Sequence, residues 1–129
     1  MFNIASAESG DGAFMRSRER QLKTAIVSNG EAAPIIYPSS DEELKDLAIR
    51  IAEEVEELTG IRPQLIPDTE SVESKFSEVK PHLQERNIVI LGNLVNNMAV
   101  FRLYSDFRCA ADAEYAGEEG YVLRNIVNP

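Results

Sequence analysis

One amphipathic helix constrains the fold of this chain more than any other feature of its sequence. Between residues 41 and 59 the apolar side chains recur every three or four positions, which is typical of a helix with one buried face. Ser40 is expected to cap the start of this helix, with Glu43 bonding back to it, and Gly60 is expected to end it in a left-handed conformation. The stripe that we expect to be buried against a sheet comprises Leu44, Leu47, Ala48, Ile51, Val55 and Leu58, and the acidic face that we expect in water comprises Glu53, Glu54, Glu56 and Glu57.

Five apolar segments predict the strands of that sheet. Residues 23–28 end at Asn29-Gly30, a strong turn signal, so a hairpin with the next apolar segment, residues 34–37, is predicted. That second segment begins with a proline, which favours an edge position or the start of a strand. Residues 87–91 form an uninterrupted apolar run, typical of a central strand that is covered on both faces. The other strand candidates are residues 64–66 and 120–127.

Helical segments alternate with these strands. Besides the first helix, residues 71–86 and 97–109 show helical spacing of their apolar side chains. The alternation predicts an α/β sandwich, with a mixed sheet of about four to five strands and about two to three packed helices. Residues 1–22 show no sustained period and are predicted to form a flexible leader or a short docking helix, so the single domain is placed at residues 23–129.

Composition excludes several classes of function. With 22 acidic and 13 basic residues the net charge is −9, which repels phosphate groups, so neither nucleic acid nor a membrane surface is expected as a partner. Cys109 is the only cysteine and His82 the only histidine, so no metal site and no cofactor are expected. The first residues do not combine a basic segment with an apolar one, so no signal peptide is predicted.

A glycine turn after residues 87–91 is the first candidate binding site. A strand, a glycine and a helix in succession can hold a small anion or a nucleotide phosphate at the start of the helix. The turn contains one glycine and no following lysine, so it matches neither the P-loop nor the dinucleotide-binding pattern, and an asparagine there is better explained as the helix cap. The candidate ligand-binding residues are Gly92, Asn93, Asn96 and Asn97.

An acidic cluster near the C-terminus is the second candidate. Paired carboxylates can act as acid and base on a glycoside, and the side chains of Tyr115 and Tyr121 can stack on a sugar ring. Neighbouring glycines indicate a loop, where acidic side chains are usually solvated, so no catalytic residue is assigned. The carboxylates of this cluster are Asp112, Glu114, Glu118 and Glu119.

Several stretches of the sequence together resemble a known domain family. They are residues 35–38 with the helix end at 56–60, residues 61–66, residues 87–97, and residues 117–124. The series resembles the non-catalytic N-terminal α/β domain that precedes the catalytic domain in alpha-glucuronidases and beta-N-acetylhexosaminidases. It is also similar to modules of large bacterial polysaccharide-degrading proteins, including heparinase-like lyases. The resemblance covers about residues 23–129.

The resemblance implies an accessory domain whose partner is the catalytic domain of the same parent protein. In these families the active-site residues lie in the following domain, so no catalytic residue is carried over to this chain. Such parent enzymes are often exported. The family usually continues beyond the position of Pro129 with a further strand and helix, so a truncated domain is expected, with an apolar strand at residues 121–127 open to self-association.

Two alternatives follow from the residues alone. The first is a stand-alone module that binds a small ligand through the turn at residues 92–97. The second is a small glycosidase that uses the acidic cluster around Glu118 and Glu119. The length of the reading frame beyond Pro129 would distinguish them from the accessory domain, because only the accessory domain requires a long continuation.

Overall fold

The computed structural model describes residues 24–106, 108, 119–121, 123, 125 and 126, and the α/β class predicted from the sequence is confirmed. The strands are divided between an antiparallel pair, β1–β2, and a separate parallel sheet of order β4–β3–β5. In chain order the elements are β1 (Val27–Ser28), β2 (Glu31–Ala32), β3 (Ile35–Tyr37), α1 (Glu42–Thr59), β4 (Leu65–Pro67), α2 (Asp68–Ser71), α3 (Pro81–Gln84), β5 (Val89–Ile90) and α4 (Met98–Ser105).

The centre of the parallel sheet is β3. Ile35 lies opposite Leu65 of β4 on one side and opposite Val89 of β5 on the other. Residues 87–91 were expected in the centre, but among the described residues β5 pairs with β3 alone. Pro34 directly precedes β3, so of the two expected options the start of a strand is confirmed and the edge position is wrong. The carbonyl of Pro34 accepts a hydrogen bond of 2.9 Å from the backbone N–H of Val89.

The predicted turn at Asn29-Gly30 is present, but it joins a different pair of strands. Both residues have positive φ, 53° and 78°, as a tight two-residue hairpin requires. The turn pairs β1 with the adjacent β2, whereas the predicted partner, β3, belongs to the parallel sheet. The hairpin is tied to the segment before β5, because Arg86 Nη2 and Asn87 Nδ2 each donate a hydrogen bond of 3.0 Å to the carbonyls of Ala32 and Ala25, respectively.

Both ends of α1 are capped, although the residue at the start is not the predicted one. Asp41 replaces Ser40 as the N-cap, and its Oδ1 accepts a hydrogen bond of 3.1 Å from the backbone N–H of Leu44. The N–H of Asp41 donates a hydrogen bond of 3.2 Å to the carbonyl of Pro38. Ser40 therefore lies inside the turn that precedes α1 and not at its N-cap. At the other end Gly60 is left-handed, as predicted, with its N–H bonded to the carbonyl of Glu56 at 2.7 Å.

The apolar stripe of α1 is buried less than the sequence predicts. Ala48 and Ala52 pack fully buried against the sheet, but Leu47 is 37% exposed and Leu58 is 85% exposed. The difference follows from length. A helix of 18 residues is about 27 Å long and a strand of 3 residues about 10 Å, so much of α1 extends past the sheet. Half-buried stripe positions are Leu44, Ile51 and Val55, and the acidic positions exposed as predicted are Glu53, Glu54, Glu56 and Glu57.

The two faces of β3 each support a separate core cluster. Ile35 points to the side of α1 and contacts a cluster that includes Ala48 and Ala52. Ile36, the next residue, points to the opposite side, where it belongs to a cluster with Leu83 of α3 and Ala99 of α4. Three layers result, with the parallel sheet between α1 and the shorter helices.

The predicted helix at residues 71–86 is wrong as a single element. Residues 72–80 are not helical, and Val72 and Val79 instead form an isolated antiparallel bridge. Pro81 begins α3 rather than continuing a longer helix, because a proline is tolerated in the first helical turn and breaks a helix interior. The apolar residues of the segment still reach the core, except Phe76, which is 68% exposed.

The C-terminal strand predicted at residues 120–127 is not present in the described residues of that segment. Gly120, Tyr121, Leu123, Asn125 and Ile126 belong to no strand, and the other positions lie outside the described residues. Tyr121 and Leu123 are exposed, in agreement with the apolar surface expected there. The side chain of Asn125 also accepts a hydrogen bond from the hydroxyl of Thr24, so the C-terminal segment contacts the residues that precede β1.

The core location of Leu83 gives a direct test of the fold. Leu83 is 1% exposed between the sheet and the short helices. Leu83→Ala is expected to lower the free energy of unfolding by about 2–5 kcal/mol, the usual cost of a cavity at a leucine position. The control is Val95→Ala at an exposed turn position, which should cost less than about 0.5 kcal/mol. Urea unfolding of both variants measures the difference, and equal costs would contradict the core assignment.

Candidate functional site

The carboxyl edge of the parallel sheet is the place where a fold of this type usually binds a ligand. From β3 the chain passes through α1 to β4 on one side of β3, and it later returns to β5 on the other side. The segments that follow β3 and β5 therefore lead to helices on opposite faces of the sheet, and such a point is the common ligand site of open parallel sheets. Here residues 38–41 follow β3 and residues 91–97 follow β5. The turn proposed from the sequence lies at this position.

The turn after β5 is held by its own asparagine side chains. Asn93 Oδ1 accepts hydrogen bonds from the backbone N–H groups of Val95 and Asn96, at 2.8 and 3.1 Å. In return Asn96 Oδ1 accepts from the N–H of Asn93 at 2.7 Å. Asn93 and Asn96 thus each accept a hydrogen bond from the backbone N–H of the other. These two bonds close the turn and explain why asparagines occur three residues apart.

Gly92 is required by the shape of this turn. Its φ of 115° is a conformation that side-chain-bearing residues rarely adopt. A Cβ atom at this position would lie 2.4 Å from Asn96 Oδ1 and 3.2 Å from Asn97 Cβ. The glycine therefore allows Asn96 to approach the backbone, and no separate role in ligand binding is needed to explain it.

Asn97 caps α4 and at the same time joins it to the sheet. Its Oδ1 accepts from the N–H of Ala99 at 2.8 Å, which confirms the predicted capping by an asparagine. Its Nδ2 donates to the carbonyl of Leu91 at 2.6 Å and lies 3.4 Å from that of Ile36. The side chain is almost completely buried, and its amide is bonded through both the oxygen and the nitrogen.

A buried carboxylate that sequence analysis did not single out lies beside this cap. Asp68, the first residue of α2, is 3% exposed. Its Oδ1 accepts from the backbone N–H and the hydroxyl of Ser39, at 2.9 and 2.8 Å, and its Oδ2 accepts from the N–H of Met98 at 2.9 Å. One carboxylate therefore connects the ends of β3 and β4 with the start of α4. The sequence signal for it was an acidic residue directly after Pro67, which closes a predicted strand.

These bonds use the groups that would otherwise bind an anion. The first three N–H groups of α4 belong to Met98, Ala99 and Val100, and they bond to Asp68 Oδ2, Asn97 Oδ1 and the carbonyl of Asn97. A helix start offers an anion site only where these groups are free. Among the residues that the structure describes, no group of three or more His, Cys, Asp or Glu side chains could hold a metal ion.

The other candidate residues that the structure describes do not join this cluster. Tyr121 is 77% exposed, lies outside any helix or strand, and takes no part in the hydrogen bonds of the turn. Glu119 is exposed as well, and His82 is an exposed residue of α3, as a surface histidine was expected to be. Four residues of the acidic segment lie outside the described residues, namely Asp112, Glu114, Tyr115 and Glu118, and so does Cys109.

The three bonds to Asp68 predict a graded loss of stability. Asp68→Ala is expected to lower the free energy of unfolding by about 3 kcal/mol or more, since it removes three hydrogen bonds to a charged group and each such bond contributes about 1.5–3 kcal/mol. Ser39→Ala removes only the hydroxyl bond and should cost about 1 kcal/mol. Asp68→Asn should fall between the two, because the amide keeps one accepting oxygen. Urea unfolding gives the order, and an Asp68→Ala cost no larger than that of Ser39→Ala would contradict the contacts.

Comparisons with protein-family models, curated proteins and solved structures returned no match to this chain. Within the described residues, no helix has the length and apolar content needed to span a bilayer.

Proposed function

We propose that this chain is a non-catalytic accessory domain of a larger carbohydrate-active enzyme, a glycoside hydrolase or a polysaccharide lyase. The observation that carries the proposal is the hydrogen bonding of the polar side chains at the carboxyl edge of the parallel sheet. There the carboxylate of Asp68 and the side chain of Asn97 are buried and bonded within the domain. A catalytic or binding site needs polar groups that are free to meet a substrate, and these groups stabilise the fold instead.

The residues that carry the family resemblance support the same role. Gly60 ends α1, Gly92 permits the turn after β5, and Asn97 caps α4. Each of these positions determines where an element begins or ends. A pattern made of such residues describes a shared fold and contains no catalytic residue.

An exposed phenylalanine, packed on a half-buried one, is the contact surface that we assign to the catalytic domain. Phe76 is 68% exposed and its ring stands edge-on to that of Phe101, with centroids 5.0 Å apart. The ammonium group of Lys75 lies 5.3 Å from the centroid of the Phe101 ring. An exposed phenylalanine that is held in place by a second ring is typical of an interface anchor, since aromatic residues dominate binding energy at such surfaces.

The first test of this proposal is the absence of activity. The purified chain is expected to neither hydrolyse nor eliminate across a glycosidic bond in a panel of neutral and uronate-containing polysaccharides, measured by reducing-end release and by absorbance of unsaturated products. Glu118→Gln with Glu119→Gln should change the surface charge and little else. Turnover that this double variant abolishes would contradict the proposal and favour the small glycosidase. Displaced amide signals at residues 92–98 on titration with inorganic phosphate would favour the ligand-binding module.

The second test concerns the partner and uses the complete product of the reading frame. If Phe76 anchors the interface, Phe76→Ala is expected to separate one cooperative thermal transition into two and to speed proteolysis between the domains. The isolated domain should lose little stability, because the ring is largely exposed. Val95→Ala, at another exposed apolar position, is the matched control and should change neither measurement. A reading frame that ends at Pro129 would refute the accessory role itself, independently of the result for Phe76.

A further inference from the structure

The loop of the β1–β2 hairpin presents one reactive pair of residues to solvent. Asn29 and Gly30 are both exposed, and they alone join β1 to β2. A Cβ atom added at Gly30 would have no neighbouring atom within 4 Å, so the glycine lies in open space. Asn29 is also the only asparagine in the sequence that a glycine follows. Because glycine has no side chain, its backbone nitrogen can approach the preceding side chain without hindrance.

The two groups that can react with each other are not held by hydrogen bonds. Within the part of the chain that the structure describes, neither the side-chain amide of Asn29 nor the N–H of Gly30 makes a hydrogen bond. Other asparagines differ in both respects. The side chains of Asn87, Asn93 and Asn97 are hydrogen-bonded, and each of these residues is followed by a residue with a large side chain. Asn29 therefore combines a free amide with an unhindered neighbour.

We propose that Asn29 deamidates spontaneously while the rest of the domain stays folded, with water as the only co-reactant. The backbone nitrogen of Gly30 attacks Cγ of Asn29 and gives up its proton. The bond from Cγ to Nδ2 then breaks, and the amide nitrogen leaves with that proton as ammonia. Water adds to either carbonyl of the cyclic imide that remains. One opening gives aspartate, and the other gives isoaspartate, in which the main chain runs through the former side chain.

Opening of the hairpin limits the rate of this reaction. Both loop residues have positive φ, and in a turn of this type the Gly30 nitrogen points away from the Asn29 side chain. The loop must therefore open before the ring can close. The strands of the hairpin have only two residues each, and the next bond along them joins the N–H of Ala33 to the carbonyl of Ile26 at 2.6 Å. Hairpins of this size are marginally stable, and exposed elements with few contacts open most readily.

The two products affect the hairpin differently. Isoaspartate adds one carbon atom to the main chain of a two-residue loop, whose length sets the pairing of Ser28 with Glu31. It also places a negative charge beside Glu31. The hairpin is therefore expected to loosen in the isoaspartyl protein. Aspartate adds the same charge but keeps the length of the loop, and it tolerates the left-handed conformation of Asn29. The proposal is independent of the accessory role, because it concerns only the chemistry of this loop.

Peptide mapping of the incubated full chain tests the reaction. Trypsin releases residues 24–45 as one peptide, in which Asn29 is the only asparagine. After incubation under native conditions, this peptide is expected to convert into an aspartyl and an isoaspartyl form, separated by chromatography and identified by mass spectrometry. Conversion should exceed that of peptides containing Asn87, Asn93 or Asn97. It should rise with pH, because the attacking nitrogen must lose its proton, and Asn29→Gln should abolish it at this site.

A pair of arginine variants tests the dependence on hairpin opening. Arg86→Met removes the hydrogen bond from Arg86 to the carbonyl of Ala32 in β2. It is expected to speed conversion by about fivefold, the effect of about 1 kcal/mol on the opening equilibrium. The matched control is Arg102→Met, which removes an ion pair with Asp106 on α4 and should leave the rate unchanged.

Hydrogen exchange tests the effect on the hairpin. In the purified isoaspartyl protein the N–H of Ala33 should exchange about tenfold faster than in the unmodified protein, since the hairpin bonds contribute about 1 kcal/mol each. Asn29→Asp is the control for charge alone and should exchange at the unmodified rate.

Four results would overturn the proposal. One is an unchanged peptide 24–45 in the native chain under conditions that convert it in urea. Another is conversion to aspartate without isoaspartate, which would show direct hydrolysis. A third is an equal rate for Arg86→Met and Arg102→Met. The last is the same Ala33 exchange in the isoaspartyl protein as in Asn29→Asp.

Discussion

The parallel pairing of β3 with strands on both sides is the interaction on which the other elements depend. Ile35 and Ile36 are both buried, one on each face, so this strand contributes to both core clusters. Its short length, 3 residues, limits the area of sheet that a helix can cover. Since parallel strands are joined only through crossovers, β3 also places α1 on one face and the shorter helices on the other. The layered arrangement and the partial exposure of α1 both follow from it.

The sequence predicted the parts of this fold that depend on local signals. The tight turn at Asn29-Gly30, the glycine end of α1 and the asparagine cap of α4 are each determined by residues within one turn, and each is confirmed. The pairing of strands was predicted less well, because it depends on contacts between distant segments. An apolar run such as residues 87–91 predicts a buried strand. A strand with one partner that is covered by helices has the same apolar pattern as a central strand, so the pattern does not give its position in the sheet.

In the candidate site, too, contacts between neighbours in sequence were predicted and contacts between distant residues were not. Gly92, Asn93, Asn96 and Asn97 were expected together because they are neighbours in sequence, and the structure places them in one turn. Asp68 and Ser39 were missed because they lie 29 residues apart and meet only when β3 and β4 pair. The effect of this contact on function could not be inferred beforehand either. Asn97 and Asp68 together satisfy the start of α4, so a position that often holds a ligand holds the fold together here.

The hydrogen bond between Thr24 and Asn125 joins residues 101 positions apart in the chain. Thr24 and Asn125 therefore lie side by side in the fold. Two groups attached there have a high effective concentration for each other, in the millimolar range for short flexible linkers. A domain of this kind can be inserted into a longer chain, or removed from it, with little change in the distance between the two segments that it separates. Such proximity would follow from the fold of the domain and would not require the domain to bind either group.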